Sequence, residues 1–168
     1  MAHPLIAMVR ARFDRCCGYC GVSEADVGAE LTVDHFRPNT RGGDESLDNL
    51  VYACPRCNLL KADFFPSDEE QKAGLRVLHP LFEDLSQHLE MSSDTGRIIP
   101  LTLTGKFHIH LLQLNRQPLI VHRVRKRILA DLIKGQEFFV CQADDLEGAL
   151  HFARSYLDYL KQLRSRKD

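Results

Sequence analysis

The chain has 168 residues, 44% of them hydrophobic, with 22 Lys+Arg against 23 Asp+Glu. That is enough apolar material for one globular domain, or a small domain with an extension, and there is no apolar run of about 20 residues that would span a membrane. A formal net charge of −1 exerts no global pull on nucleic acid, so any polyanion-binding face must come from local segregation of charge.

Residues 1–14 lack the charged start, apolar stretch and small-residue cleavage site of a secretory leader and read as folded protein. Pro4 to Phe13 has the pattern of a short helix: Pro4 suits a first turn, and Leu5, Met8, Val9 and Arg12 recur at helical spacing. Cys17-Gly-Tyr-Cys20-Gly21 is a tight knuckle whose glycines permit turn dihedrals. Glu30 to His35 is rich in strand formers, Arg37 to Leu47 is a loop, and Leu50 to Ala53 is a second strand. Pro55 then opens a helix through Lys61, and Phe64 to Ser67 closes the unit.

Further on, an acidic stretch from Asp63 to Glu90 holds seven Asp/Glu and two bases, and is expected to be solvated. Helical patterns follow from Thr104 to Leu112 and from Pro118 to Ile133. The second has Leu119, Val121, Val124, Ile128 and Leu132 as its apolar stripe. Asp144 and Glu147 form a capping box for a last helix through Leu160. Arg116 to Lys134 carries six Lys/Arg and one acid, Asp131, so a basic face can exist on a neutral protein.

There are six cysteines and no sign of a secretory context, which points to a reducing, cytoplasmic setting where paired thiols bind metal or do redox chemistry. Cys17-x-x-Cys20 and Cys54-x-x-Cys57 each allow both sulfurs of a turn to face one ion, and four thiolates make a closed structural zinc site. Cys16 competes with Cys17, but its three-residue gap to Cys20 makes a poorer knuckle; Cys141 reads as a core thiol. The plain alternative is four buried thiols without metal.

Between the pairs stand Val33-Asp34-His35-Phe36-Arg37-Pro38 and Arg41-Gly-Gly-Asp-Glu-Ser-Leu-Asp-Asn-Leu50, and the second pair opens Cys54-Pro-Arg-Cys-Asn-Leu-Leu-Lys61. These motifs resemble those of the HNH endonucleases, and the phosphodiester hydrolysis that the resemblance implies needs a base for water and a cation for the charge on phosphate. His35 is the candidate base, since imidazole titrates near working pH. Asp34 points to the other side of the strand and is free to hold a metal, with the Asn58 amide oxygen as second ligand. Hard oxygen donors suit Mg²⁺, or Mn²⁺.

Over roughly residues 16–63 these motifs resemble the HNH endonucleases, or ββα-metal nucleases. The resemblance implies a zinc-clamped ββα core, Mg²⁺-dependent hydrolysis of DNA leaving a 5′-phosphate and a 3′-hydroxyl, and a supporting role for Asn49 in orienting the loop near His35. The third family letter is Asn58 here, where many members have His, which leans the ion away from Zn²⁺ and Ni²⁺. Arg37, Arg41, Arg56 and Lys61 are candidate phosphate contacts, each equally readable as a solvated surface side chain. His79-Pro-Leu-Phe82, Gly96-Arg-Ile-Ile-Pro-Leu-Thr102, Thr104-Gly-Lys106 and Leu112-Gln-Leu-Asn-Arg116 look like the tail of a bacterial HNH subgroup. Arg123-Val-Arg-Lys-Arg127 is the best basic segment for phosphate, with Arg123 and Arg127 on one helical face.

The expectation is therefore an α+β fold. Residues 1–66 form the nuclease core with an N-terminal helix, and residues 67–168 a mainly helical extension. Two rivals stand beside the DNA endonuclease: a non-catalytic zinc module binding nucleic acid or protein, and a ribonuclease of the same fold. The remaining histidines, His79, His88, His108, His110, His122 and His151, read as surface or packing residues.

Overall fold

A computed structural model describes residues 3–141, with side chains over 3–133. The proposed helix from Asp144 to Leu160, His151 and the side chain of Cys141 lie outside the described residues. The chain is α+β, with helices α1 (Ile6–Arg12), α2 (Glu24–Val27), α3 (Pro55–Lys61), α4 (Asp68–Lys72), α5 (Leu103–Leu111) and α6 (Gln117–Cys141). Among the described residues two antiparallel hairpins accompany them: β1 (Thr32–His35) with β2 (Leu50–Ala53), and β3 (Leu89–Met91) with β4 (Ile98–Pro100). The chain clusters into one compact unit at residues 1–124 and a second at 125–168.

Strand β2 is buried at all four positions, which explains its uninterrupted Leu-Val-Tyr-Ala sequence: α1 and α3 pack against it, and β1 pairs along its edge. Each fully buried Leu or Val there contributes about 1.5–3 kcal/mol. The register sets Asp34 opposite Val51 and His35 opposite Leu50. Helix α1 turns Val9 into the core, fully buried, but leaves Met8 half exposed, so the apolar stripe expected for this helix is narrower.

A bidentate Arg10–Glu24 pair joins α1 to α2, and Tyr52 in β2 donates to the same carboxylate while accepting the Leu31 N–H at 2.9 Å. Arg10 and the Tyr52 hydroxyl hold the Glu24 carboxyl down at about 2. The core continues through Val77, Leu112, Leu114 and Leu119, so residues beyond 66 share it.

Two features differ from expectation. The acidic stretch is not wholly solvated: Val77, Leu78 and His79 are buried, because the apolar residues between its charges are drawn into the core. The extension also contains the β3–β4 hairpin, fastened by Asn115, whose side chain both accepts the Ile98 N–H at 2.7 Å and donates to its carbonyl at 2.8 Å. The strands are short, and one residue of the second is proline, so periodicity gave little warning.

Candidate active site and metal centre

Two separate constellations form. In the first, the Cys17–Cys20 knuckle is closed by backbone bonds from Gly21 N–H to Cys17 O and from Gly18 N–H to Tyr52 O, both 2.8 Å. Cys54 is the N-cap of α3, with Pro55 at its first turn, and Cys57 lies one turn inside the helix. The four sulfurs of Cys17, Cys20, Cys54 and Cys57 all lie within 4.8 Å of one another, and Cys20 and Cys54 are 3.7 Å apart. A tetrahedral ion with Zn–S bonds of about 2.3 Å separates its sulfurs by about 3.8 Å, so this set is compatible with zinc.

Cys16 stands outside the set, its thiol donating to Asp14 O. Hydrogen bonds among the four thiols push Cys54 down and push Cys20 and Cys57 up. A bound cation favours the thiolate at each of them. Arg116 lies over the cluster, with Nη2 3.6 Å from Cys57 Sγ and 4.0 Å from the sulfurs of Cys20 and Cys54. Sequence reading found no role for Arg116, because it is 96 residues from Cys20.

The second constellation is an open cleft of about 280 Å³ lined by Val33, Asp34, His35, Pro38, Asn39, Thr40, Asn58, Ala62 and Asp63. It joins Asp34, His35 and Asn58. Asp63 arrives because α3 ends at Ala62 with φ +45°, which turns the chain back to the cleft. Asn49 ties the loop together: it accepts the Arg37 N–H at 2.8 Å and donates to Arg37 O and Asp44 O. Gly43 is required in that loop, since a Cβ there would lie 1.8 Å from the Arg37 carbonyl oxygen.

Asp34 is almost buried, at 7% exposure, and accepts from Tyr19 Oη at 2.5 Å and from Lys61 Nζ. Burial pushes its carboxyl up, and the Lys61 ammonium pulls the other way. Lys61 departs from both readings, phosphate contact and solvated surface side chain: it is 1% exposed, pairs with Asp34 at 3.2 Å and donates to His35 O at 2.7 Å. The buried carboxylate demanded a counter-charge, and α3 supplies it one turn after Asn58.

On the outer side, His35 Nε2 is 2.9 Å from Glu45 Oε1, and Glu45 Oε2 is 2.8 Å from His3 Nε2. His3, His35 and Glu45 form the second cluster of possible metal-binding groups among the described residues. Hydrogen bonds from His3, His35 and Asn39 hold the Glu45 carboxyl down at about 2.

Residues 17–64 match the family model of the HNH endonucleases. This segment is an HNH domain. The match points to a nuclease, a protein acting on nucleic acid, and brackets both cysteine pairs and the cleft. Comparison with curated proteins found no match, and neither did comparison with solved structures. Among the described residues no helix is long and apolar enough to cross a membrane.

The other basic residues differ in exposure and in what they touch. Arg37 is exposed, but its Nε donates to Arg41 O at 2.6 Å and its guanidinium lies 5.2 Å from the Phe65 ring. Arg41 is exposed, and Arg56, also exposed, donates to Gln113. Arg123 is half-buried and donates to the carbonyls of Gly96 and Leu114, so its guanidinium holds the hairpin and the start of α6 together. Arg127 is partly exposed on α6, beside exposed Arg125 and Lys126.

Proposed function

We propose that the protein is a divalent-metal-dependent endonuclease that hydrolyses phosphodiester bonds in DNA. The observation that carries this reading is the meeting of Asp34, His35 and Asn58 on one open cleft inside the HNH domain. Asp34 and Asn58 offer hard oxygen donors, and each Asp34 oxygen has acceptor capacity beyond its bonds to Tyr19 and Lys61, so the set fits Mg²⁺ or Mn²⁺. Such an ion, when bound, neutralises charge on the phosphate and leaving oxygens.

His35 takes a proton from water. The water oxygen bonds to phosphorus as the bond to the 3′ oxygen breaks, and that oxygen is protonated from solvent, leaving a 5′-phosphate and a 3′-hydroxyl. Lys61 opposes the upward push of burial on the Asp34 carboxyl and pins the end of β1 through the His35 carbonyl. The four-cysteine site, filled by zinc, holds the knuckle against α3 and so fixes the angle between hairpin and helix. Arg37, Arg41 and Arg56 are the exposed cations of the HNH domain from which phosphate contacts are drawn, and Arg127 is a separate candidate on the second unit.

A plasmid-cleavage assay with Mg²⁺, Mn²⁺ or no added divalent ion tests the proposal. Wild type should nick or cut DNA only with the ion, and His35→Ala should lose about 10²–10⁴-fold in rate with zinc content unchanged. Asp34→Ala is the poorer variant, because it strands a buried Lys61 ammonium and costs about 3–5 kcal/mol of stability. Cleavage of RNA but not DNA would make it a ribonuclease, and binding without cleavage would leave a zinc module.

A further inference from the structure

The contacts of Glu45 carry an inference about how His35 is set for its task, and it rests on the reading of His35 as base. A carboxylate ionised at neutral pH only accepts hydrogen bonds, so both imidazole nitrogens facing Glu45 must carry hydrogen. At His3 a second contact requires the same: its Nδ1 accepts the Leu5 N–H at 3.1 Å, which needs a lone pair there and puts the proton on Nε2. Asn39 Nδ2 also donates to Glu45 Oε1, at 3.2 Å. The carboxylate is thus held from three directions, by the N-terminal segment, by β1 and by the loop.

We infer that Glu45 is a positioning residue that fixes neutral His35 in the Nε2–H tautomer and leaves Nδ1 as the nitrogen that accepts the proton of water. No described residue is hydrogen-bonded to His35 Nδ1, and His35 lines the cleft beside Asp34 and Asn58. The device follows the logic by which a carboxylate orients a catalytic imidazole in hydrolases on unrelated folds. His3 acts one step further out, holding Glu45 rather than His35. The same trio has the composition of a zinc ligand set, but the His3 Nε2 proton occupies the lone pair that an ion would need.

The test uses the full chain with its zinc in place. Long-range ¹⁵N NMR of the histidines at about pH 8 should show His35 as the Nε2–H tautomer in wild type and a tautomer mixture in Glu45→Ala. In the cleavage assay Glu45→Ala should lower kcat on the order of 10- to 100-fold at similar KM. Glu45→Gln, which still offers a carbonyl acceptor, should fall between, and His3→Ala should show a smaller loss.

A wild-type His35 protonated on Nδ1 overturns the inference, as does an unchanged kcat in Glu45→Ala. A second bound Zn²⁺ per chain that disappears in His3→Ala also overturns it, by making the trio a metal site. If no substrate is cleaved at all, the nuclease reading fails while the NMR arm still decides the tautomer.

Discussion

Arg116 illustrates how a single side chain reaches a site whose ligands all lie far back in the chain. Its Nη2 faces three sulfurs, and its Nη1 donates to Leu112 O at 2.9 Å, which anchors the guanidinium at the end of α5. Four thiolates around one divalent ion carry a net charge of about −2, so a fixed cation with several N–H donors stabilises the loaded state more than the empty one. Arg116→Ala should therefore weaken zinc retention by about 10- to 100-fold in competition with a chromophoric chelator. Arg116→Lys, which keeps the charge but loses the planar fork, should recover part of it. Equal zinc affinity in all three proteins would reduce Arg116 to a packing residue.

Helix α5 shows how one element exposes itself to pH. Thr102 caps it, and His108 on its inner face is 2% exposed, with Nδ1 accepting the Leu78 N–H at 3.1 Å. Burial lowers the His108 pKa to about 4; Glu83 opposes that shift and His88 adds to it. The unfolded chain takes up a proton near pH 6.5 that the folded chain refuses until about pH 4, so stability falls as pH drops through that window. The whole effect is on the order of 3 kcal/mol.

Acid also weakens any metal held by the four thiolates, so the informative quantity is the difference between wild type and His108→Gln. The variant should lose less stability between pH 7 and pH 4.5 in urea unfolding, although it starts from a lower value. Parallel pH curves for the two proteins would remove His108 as the titrating group.

For the molecule as a whole, Cys17, Cys54 and Cys57 sit fully or nearly buried inside the main core cluster, and partly buried Cys20 packs against it. An ion there would join the segment after α1 to the first turn of α3, and the β1–β2 hairpin lies within the loop so closed. Structural zinc binding is worth about 10–16 kcal/mol, as much as the entire stability of an ordinary domain. Elemental analysis should therefore find about one zinc per chain. Stripping it with a strong chelator under reducing conditions, or Cys57→Ser, should lower the melting temperature by more than about 10 °C. A metal-free protein with an unchanged melting transition would show that the thiols pack without an ion.

What the sequence determined by itself was local: the two C-x-x-C turns, β2, the helix opened by Pro55, and the order of Asp34, His35 and Asn49 between the cysteine pairs with Asn58 just after the second. Each depends on spacings of a few residues and on turn chemistry, which act before any distant contact forms. Tertiary structure decided the rest. Lys61 turned inward because Asp34 is buried beneath it, 27 residues back. Asp63 entered the cleft through an unusual dihedral at Ala62, Arg123 went to two backbone carbonyls, and Glu45 met both His35 and His3, the latter 42 residues away. No periodicity announces such pairs, because a charged side chain in a loop reads as solvated until the fold shows which buried or immobilised group it must neutralise.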